Sequence, residues 1–330
     1  MAGVTPDPIM KVALGFMAAK HLFVANEIGL FEQLAGRPAT LDELAERTGV
    51  PRRTLRIVAD AMVSLGFLEK GGDRYQNGEV AAAFLSGPRG AGLRPALRHL
   101  DRISYPLWRE LGDAVRSGQG RSHWGRWSED EQRIATEGIA ALTAPVAARL
   151  AAGYGFSRHR HVLDLGGGTG NFLTAVLSRH AVLEATLYEL PDTAAVARRY
   201  LAGMPEAARI KIVEGDFLKD PIPEGADVVI IANVVHILSP AQNRDVLRRT
   251  RRCVPGGARL LLVDFWTDST HTRPPAAALL AGEFLLWGGE GDVYSAEEAR
   301  GWLRETGWRV LEHTPLAGPA SVIVAEAAEG

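Results

Sequence analysis

The chain has 330 residues, enough for about two domains of roughly 150 residues each. Hydrophobic residues make up 46% and charged residues 23%, which excludes a disordered, collagen-like or disulfide-dense protein. Lys+Arg total 37 against 39 Asp+Glu, a formal net charge of −2, so no global charge draws the chain to nucleic acid or to an anionic membrane.

At the N-terminus, Met10, Leu14, Met17, His21, Leu22, Val24, Ile28, Leu30 and Phe31 fall on one helical stripe over residues 10–34, with Gly29 and Gly36 as punctuation. Lys11, Lys20 and His21 break the apolar stretch and no small-residue cleavage site follows, so a signal peptide is not expected. No apolar run is expected to reach the roughly 18–20 residues of a membrane span, and the chain reads as soluble and cytoplasmic. Thr40 with Glu43 three residues on is a capping-box pattern, after which Leu41, Leu44 and Ala45 face a core and Gly49 breaks the helix. Thr54, or Pro51 as a first-turn residue, starts another helix with Leu55, Val58, Met62 and Leu65 on one face. The segment FLEKGGDRYQ predicts a hairpin turning at Gly71, Gly72 and Asp73. Helix, turn, helix, hairpin is the plan of a winged helix, expected over residues 1–95. The stripe of residues 10–31 is too long to bury inside one such domain, which points to a homodimer. Residues 96–150 read as a helical connector in which Tyr105, Trp108, Trp124 and Trp127 crowd a short span.

From residue 151 to 330 strands alternate with helices. Strands are predicted at 161–165, 185–189, 210–214, 227–232, 258–264, 308–314 and 321–326, with helices at 171–180, 192–202, 241–253 and 295–306. This pattern implies an α/β domain with a mostly parallel sheet covered on both faces. The segment HVLDLGGGTGNF (161–172) is a buried strand ending in a glycine loop. A dinucleotide fingerprint starting at Gly166 needs glycine at 171, where Asn171 stands, and no Lys-Ser/Thr follows to make a phosphate-binding loop. Glu189 ends the next strand, where a carboxylate can accept hydrogen bonds from both hydroxyls of a ribose. Asp216 and Phe217 follow the third strand and suit an adenine. A nucleoside without a phosphate suggests S-adenosylmethionine. The competing reading is a glycine turn that packs a helix on a sheet, with surface acids around it.

The segments VLDLGGGTGNF, YELPDTAAVARR, EGDFL, ANVVHILSPAQNRDVLRRTRRCVPGGARLLLVDF and GGEGDVYSAEEARGWLRETGW follow one another in order. Together they resemble the S-adenosylmethionine-dependent O-methyltransferases of the caffeate and acetylserotonin type, nearest the bacterial branch that decorates aromatic polyketides. The resemblance spans nearly the whole chain. It implies a Rossmann-like seven-stranded methyltransferase domain at 151–330, a winged-helix dimerisation domain before it, S-adenosylmethionine as cofactor with no metal, and a phenolic acceptor. The expected cofactor-binding set is Asp164, Gly166, Gly168, Glu189, Asp216, Phe217 and Asn233.

Methyl transfer to a phenol needs a base, because a phenol of pKa about 10 is ionised only to about one part in 10³ at pH 7. Of the nine histidines, His236 falls on a strand-to-helix turn at the ligand-binding edge. The resemblance implies that Asp264 orients it together with a second acid, for which Glu290 is preferred over Asp292. The chain departs from the plant pattern at Ile237 and Ala232, where an Asp and a basic residue are common. Phe284 and Trp287 are expected to line the acceptor pocket, closed by Trp108, Trp124, Trp127 and Tyr105, although such aromatic stripes are usually core. The Arg run 244–253 reads as the solvated face of a helix, with Val246, Leu247 and Thr250 turned inward. Two other readings stand beside O-methylation: an N- or C-methylating or non-methylating relative on the same fold, and a winged-helix transcription regulator. Against the regulator, Arg52, Arg53 and Arg56 on the would-be recognition helix are partly balanced by Asp60.

Overall fold

The predicted capping box opens the first helix of the winged-helix region. The Thr40 N–H donates to Glu43 Oε2 at 2.7 Å and the Glu43 N–H to Thr40 Oγ1 at 3.3 Å. The helix Leu41–Thr48 then ends at Gly49, whose φ of 68° is left-handed. Pro51 is the residue before the next helix, Arg52–Ser64, and lies outside its first turn. Three short strands complete the motif: β1 (Ala39–Thr40), β2 (Leu68–Gly71) and β3 (Arg74–Asn77), ordered β1-β3-β2 and antiparallel. Tyr75 of β3 donates to Asp60 at 2.7 Å and accepts from Lys70 at 2.8 Å, tying the hairpin to the helix Arg52–Ser64. Arg56 pairs with Asp60 at 2.9 Å and Arg52 with Asp42 at 2.5 Å, so two of the would-be recognition arginines have partners in their own domain.

The structure, a computed structural model, describes residues 4–87, 92–121, 127–288 and 290–328. It divides into two units, one reaching Pro106 and taking in Glu137–Leu142, the other holding Leu107–Thr136 and the chain from Thr143 onward. The expected single stripe at the N-terminus is three helices, Asp7–Ala13, Gly15–Glu27 and Leu30–Gln33. Leu30 and Phe31 are fully buried, whereas Ile9, Met10, Val12, Leu14, Phe16 and Met17 are exposed. Two helical stretches, Asp7–Glu27 and Glu129–Gly153, are apolar and long enough to cross a membrane by length and composition, contrary to expectation. The second stretch is mostly buried, as the core helix of a globular fold is.

In the second unit the strands fall within a residue or two of their predicted positions. They are β4 (His161–Leu165), β5 (Glu184–Glu189), β6 (Ile210–Glu214), β7 (Val228–Ala232), β8 (Arg259–Phe265), β9 (Trp308–Pro315) and β10 (Ala320–Ala327). They form one seven-stranded sheet, ordered β6-β5-β4-β7-β8-β10-β9, parallel from β6 to β8 with β10 antiparallel to both neighbours. Alternation along the strands feeds two cores: Val229, Ile231, Leu260 and Leu262 join one, and Val228, Ile230, Leu261 and Val263 the other. The helices Pro240–Arg252 and Ala296–Glu305 contribute to the first core, and the helix Asn171–Leu177 with the end of Glu129–Gly153 to the second.

The Arg run is not simply a solvated face. Arg244 pairs with Glu305 at 2.7 Å, while Arg249 and Arg251 donate to backbone carbonyls on other segments. Beneath one of those segments, a Cβ at Gly215 would lie 2.2 Å from the Tyr188 hydroxyl. Gly215→Ala is therefore expected to lower stability in urea denaturation by roughly 1–3 kcal/mol through overpacking. Tyr188→Phe deletes a buried hydroxyl that has no hydrogen-bond partner among the described residues, and should leave the midpoint unchanged or raised.

Candidate active site

β4 runs into the glycine loop at the carboxyl edge of the sheet, next to β5 on one side and β7 on the other. This is where strand order reverses and open α/β sheets bind ligands. Gly166 has φ 72°, and a Cβ there would lie 3.0 Å from Val234 and 3.2 Å from the Phe217 ring. Only glycine suits both the conformation and the space. Asp164 is fully buried, and neither carboxylate oxygen has a hydrogen-bond partner among the described residues. Burial, with the charge of Glu189 behind it, pushes the Asp164 carboxyl up to about 8. Glu189 accepts from the Gly168 N–H at 2.9 Å and from the Leu190 N–H at 2.7 Å. Burial nonetheless holds its carboxyl above the usual range. Both acids retain lone pairs for a ligand's donors.

Asp216 is half-buried. It accepts from Leu218 N–H at 2.9 Å and pairs with Lys219 at 2.9 Å. Burial raises its carboxyl, but these contacts outweigh burial and hold it below the usual range. Asn233, just past β7, has a left-handed φ of 57°, rare outside glycine, and its N–H donates to Val263 O at 2.9 Å. All seven residues of the expected cofactor set thus lie at the carboxyl ends of β4 to β7 or in the loops that follow them.

His236 sits in a 3-10 turn, Val235–Ile237, between β7 and the helix Pro240–Arg252. Its Nδ1 is 2.6 Å from Asp264 Oδ1 and its backbone N–H donates to Asp264 Oδ2 at 3.3 Å. Both residues are buried. No described residue hydrogen-bonds Nε2. Phe284 stacks on the imidazole, with centroids 3.5 Å apart and planes 17° from parallel, and Phe265 flanks both rings, 5.9 Å from His236 and 6.0 Å from Phe284. Of the two further acids, Glu290 is exposed, and neither carboxylate is hydrogen-bonded to the ring. Asp292 is held by its backbone: its N–H donates to His236 O at 3.0 Å, while its carboxylate accepts from Val293 N–H at 2.7 Å and is pushed up by burial. Glu290 and Asp292 both line an open cavity of about 510 Å³ with Ser117, Gln119, Leu285 and Tyr294.

Trp287 is buried and packs edge-to-face on Trp127 at 4.9 Å. Trp108 lies against Gly282, where a Cβ would be 3.0 Å from its ring. A residue the sequence did not single out joins them: Glu283 accepts from the indole N–H of Trp108 at 2.5 Å and of Trp287 at 2.8 Å. The available signal was a lone carboxylate in the otherwise apolar helix Pro275–Gly288, four residues before Trp287. Tyr105 belongs to the N-terminal unit, edge-on to Phe23. Trp124 lies outside the described residues. Among the described residues no group of three His, Cys, Asp or Glu is placed to hold a metal ion.

Residues 108–309 match the model of the O-methyltransferase domain and residues 10–87 that of the O-methyltransferase dimerisation domain. The chain belongs to the S-adenosylmethionine-dependent O-methyltransferases. It is 30% identical to a 3-hydroxy-5-methyl-1-naphthoate 3-O-methyltransferase of Streptomyces sahachiroi, over 96% of this chain and 93% of the relative. It is also 30% identical to the N,N-dimethyltransferase OxyT of Streptomyces rimosus, over 92% and 91%. The solved structure of PigF with S-adenosylhomocysteine (SAH) superposes with a TM-score of 0.86 at 29% identity, over 98% of this chain and all of that one. Asp164, without a hydrogen-bond partner among the described residues, makes stability depend on pH. A carboxyl whose pKa rises on folding stabilises the fold below its unfolded value of about 4, and that contribution is lost as pH rises through about 8. Without ligand, urea midpoints of the wild type should therefore fall relative to Asp164→Asn between pH 5 and pH 8. Parallel pH curves would place the Asp164 carboxyl in its ordinary range.

Proposed function

We propose that this protein transfers a methyl group from S-adenosylmethionine to a hydroxyl of an aromatic, polyketide-type small molecule, with His236 as general base. The observation that supports it most is the buried His236–Asp264 pair on the same sheet edge as the glycine loop. When bound, S-adenosylmethionine supplies an electrophilic methyl on a sulfonium. Asp164, without a partner among the described residues, and the glycine cradle suit a ligand that carries donors and positive charge. In this reading Glu189 holds the ribose hydroxyls, Asp216 and Phe217 the adenine, and Asp164, Gly166, Gly168 and Asn233 the remainder.

Asp264 accepts a hydrogen bond from Nδ1–H, which leaves Nε2 as the basic nitrogen and fixes the plane of the ring. Nε2 takes the phenolic proton as the oxygen becomes the nucleophile, which removes a handicap of up to about 4 kcal/mol at pH 7. Phe284 excludes water from one face of the imidazole. Trp108 and Trp287, held by Glu283, wall the acceptor, and the Asp292 N–H secures the turn that carries His236. Positioning of the oxygen survives loss of the base. His236→Ala should therefore bind SAH as the wild type does, yet turn over about 10²–10⁴-fold more slowly on a phenol at pH 7. The deficit should narrow as pH rises toward about 10, and Asp264→Asn should be impaired less. Near-normal turnover by His236→Ala would remove the base from the mechanism. The likeness to an N,N-dimethyltransferase supports a second reading, methylation of an amine, whose neutral lone pair needs no such base. Paired hydroxy- and amino-naphthoates separate the two, because only the hydroxyl substrate should depend on His236.

The N-terminal unit, in this proposal, pairs two copies and does not bind DNA. The exposed apolar residues of Asp7–Ala13 and Gly15–Glu27 and the match to a dimerisation domain support it. Residues 1–95 then dimerise, 96–150 close the acceptor site and 151–330 bind the cofactor, in a soluble enzyme without a nucleic-acid or membrane partner. Light scattering should give about twice 35.6 kDa, and Phe16→Asp with Met17→Asp should shift the population toward monomer. A wild-type monomer, or salt-sensitive binding of a DNA site, is the contrary outcome.

A further inference from the structure

Arg249 lies on the helix Pro240–Arg252, half-buried, with its guanidinium turned toward the loop after β6. One nitrogen donates to the Phe217 carbonyl at 2.5 Å and another to the Asp220 carbonyl. Between those two carbonyls the chain closes on itself. The Asp216 N–H donates to the Asp220 carboxylate at 2.9 Å, Leu218 N–H to the Asp216 carboxylate at 2.9 Å, and Asp220 N–H to Asp216 O at 2.7 Å. The Phe217 ring stands against the glycine loop. The turn 216–220 is thus a ring of hydrogen bonds clasped by one planar, charged fork from the helix that follows His236. The neighbouring Arg251 makes the same kind of contact elsewhere, to Gly307 O at 3.3 Å and to Ala328 O.

We infer that Arg249 is a positioning residue that holds the 216–220 turn in the shape that reads the base of the cofactor. The inference rests on the proposed reading of Asp216 and Phe217 as the base contacts. A lysine presents a point charge and cannot bridge both carbonyls in one plane. Loss of the fork frees the turn while β6, the glycine loop and Glu189 keep their own contacts. Recognition of the base should therefore weaken more than recognition of the rest of the ligand.

The test is calorimetric titration of the full chain with SAH and with its hypoxanthine analogue, without turnover. Arg249→Met should bind SAH about tenfold or more weakly, with a much smaller loss for the analogue, so that preference for adenine shrinks. Arg249→Lys should fall between Arg249→Met and the wild type. Arg251→Met, which removes an equivalent clasp distant from the loop, should keep wild-type affinity and preference. Arg249→Met that retains the adenine preference, or that loses both ligands equally as a general structural defect would, overturns the inference. Asp216→Ala tests the underlying reading separately. If it loses adenine preference and Arg249→Met does not, the base contact stands and the positioning role falls. If Asp216→Ala keeps that preference, the base-contact reading falls and this inference with it.

Discussion

Parallel strands deliver their carboxyl ends to one edge of the sheet, and there the backbone loses its ladder partners. In this chain that edge is closed by hydrogen bonds from the first residue after a strand to the neighbouring strand: Gly166 N–H to Tyr188 O at 2.8 Å, Gly215 N–H to Glu189 O at 3.0 Å and Asn233 N–H to Val263 O at 2.9 Å. Each bond pins the residue at which one strand becomes a loop to the strand beside it. Asp164, Glu189, Asn233, His236 and Asp264 all stand within a few residues of such a point. Their placement depends on the sheet register, so a slip in one strand would move its acid to the other face.

The buried acids on this edge differ in what surrounds them. Asp264 is met by three donors, the His236 ring, the His236 N–H and the Phe265 N–H at 2.8 Å. Asp164 is met by none among the described residues. A buried carboxylate supplied with donors is paid for within the fold and can orient a neighbour. One without donors raises its own pKa and is stabilised by any ligand that brings a donor or a positive charge. Glu189 lies between these cases, with two backbone donors and a carboxyl still raised. Carboxylates on one sheet edge thus range from fully supplied with donors at β8 to unsupplied, among the described residues, at β4.

The helix Pro275–Gly288 packs against the imidazole from outside the sheet edge. Phe284 contacts the imidazole, Glu283 fixes two indoles, and Gly120 and Gly282 are small where other segments press on it. A Cβ at Gly120 would lie 1.9 Å from Leu285 O and one at Gly291 would lie 2.5 Å from His236 O. Gly291 is thus packed between the backbone of this helix, at Phe284 O, and that of the turn carrying His236, with no room for a side chain.

The strands were legible because buried parallel strands read as short apolar runs bounded by glycine and acids, a property each segment carries alone. The capping box at Thr40 was legible for the same reason, both of its bonds spanning three residues. The glycine loop, the acids at strand ends and His236 were visible as residue types in order along the chain. The meeting of His236 with Asp264 across 28 residues was expected from the family resemblance and not from local spacing, whereas that of Glu283 with Trp108 across 175 and of Arg249 with Phe217 across 32 was decided by the fold. So was the division of the N-terminal stripe into three helices, only part of which finds a core within one chain. Periodicity and capping act within a few turns of chain, where sequence spacing and spatial distance are nearly the same quantity. A side-chain hydrogen bond between distant segments depends on where the sheet and its helices bring them, and local spacing does not encode that distance.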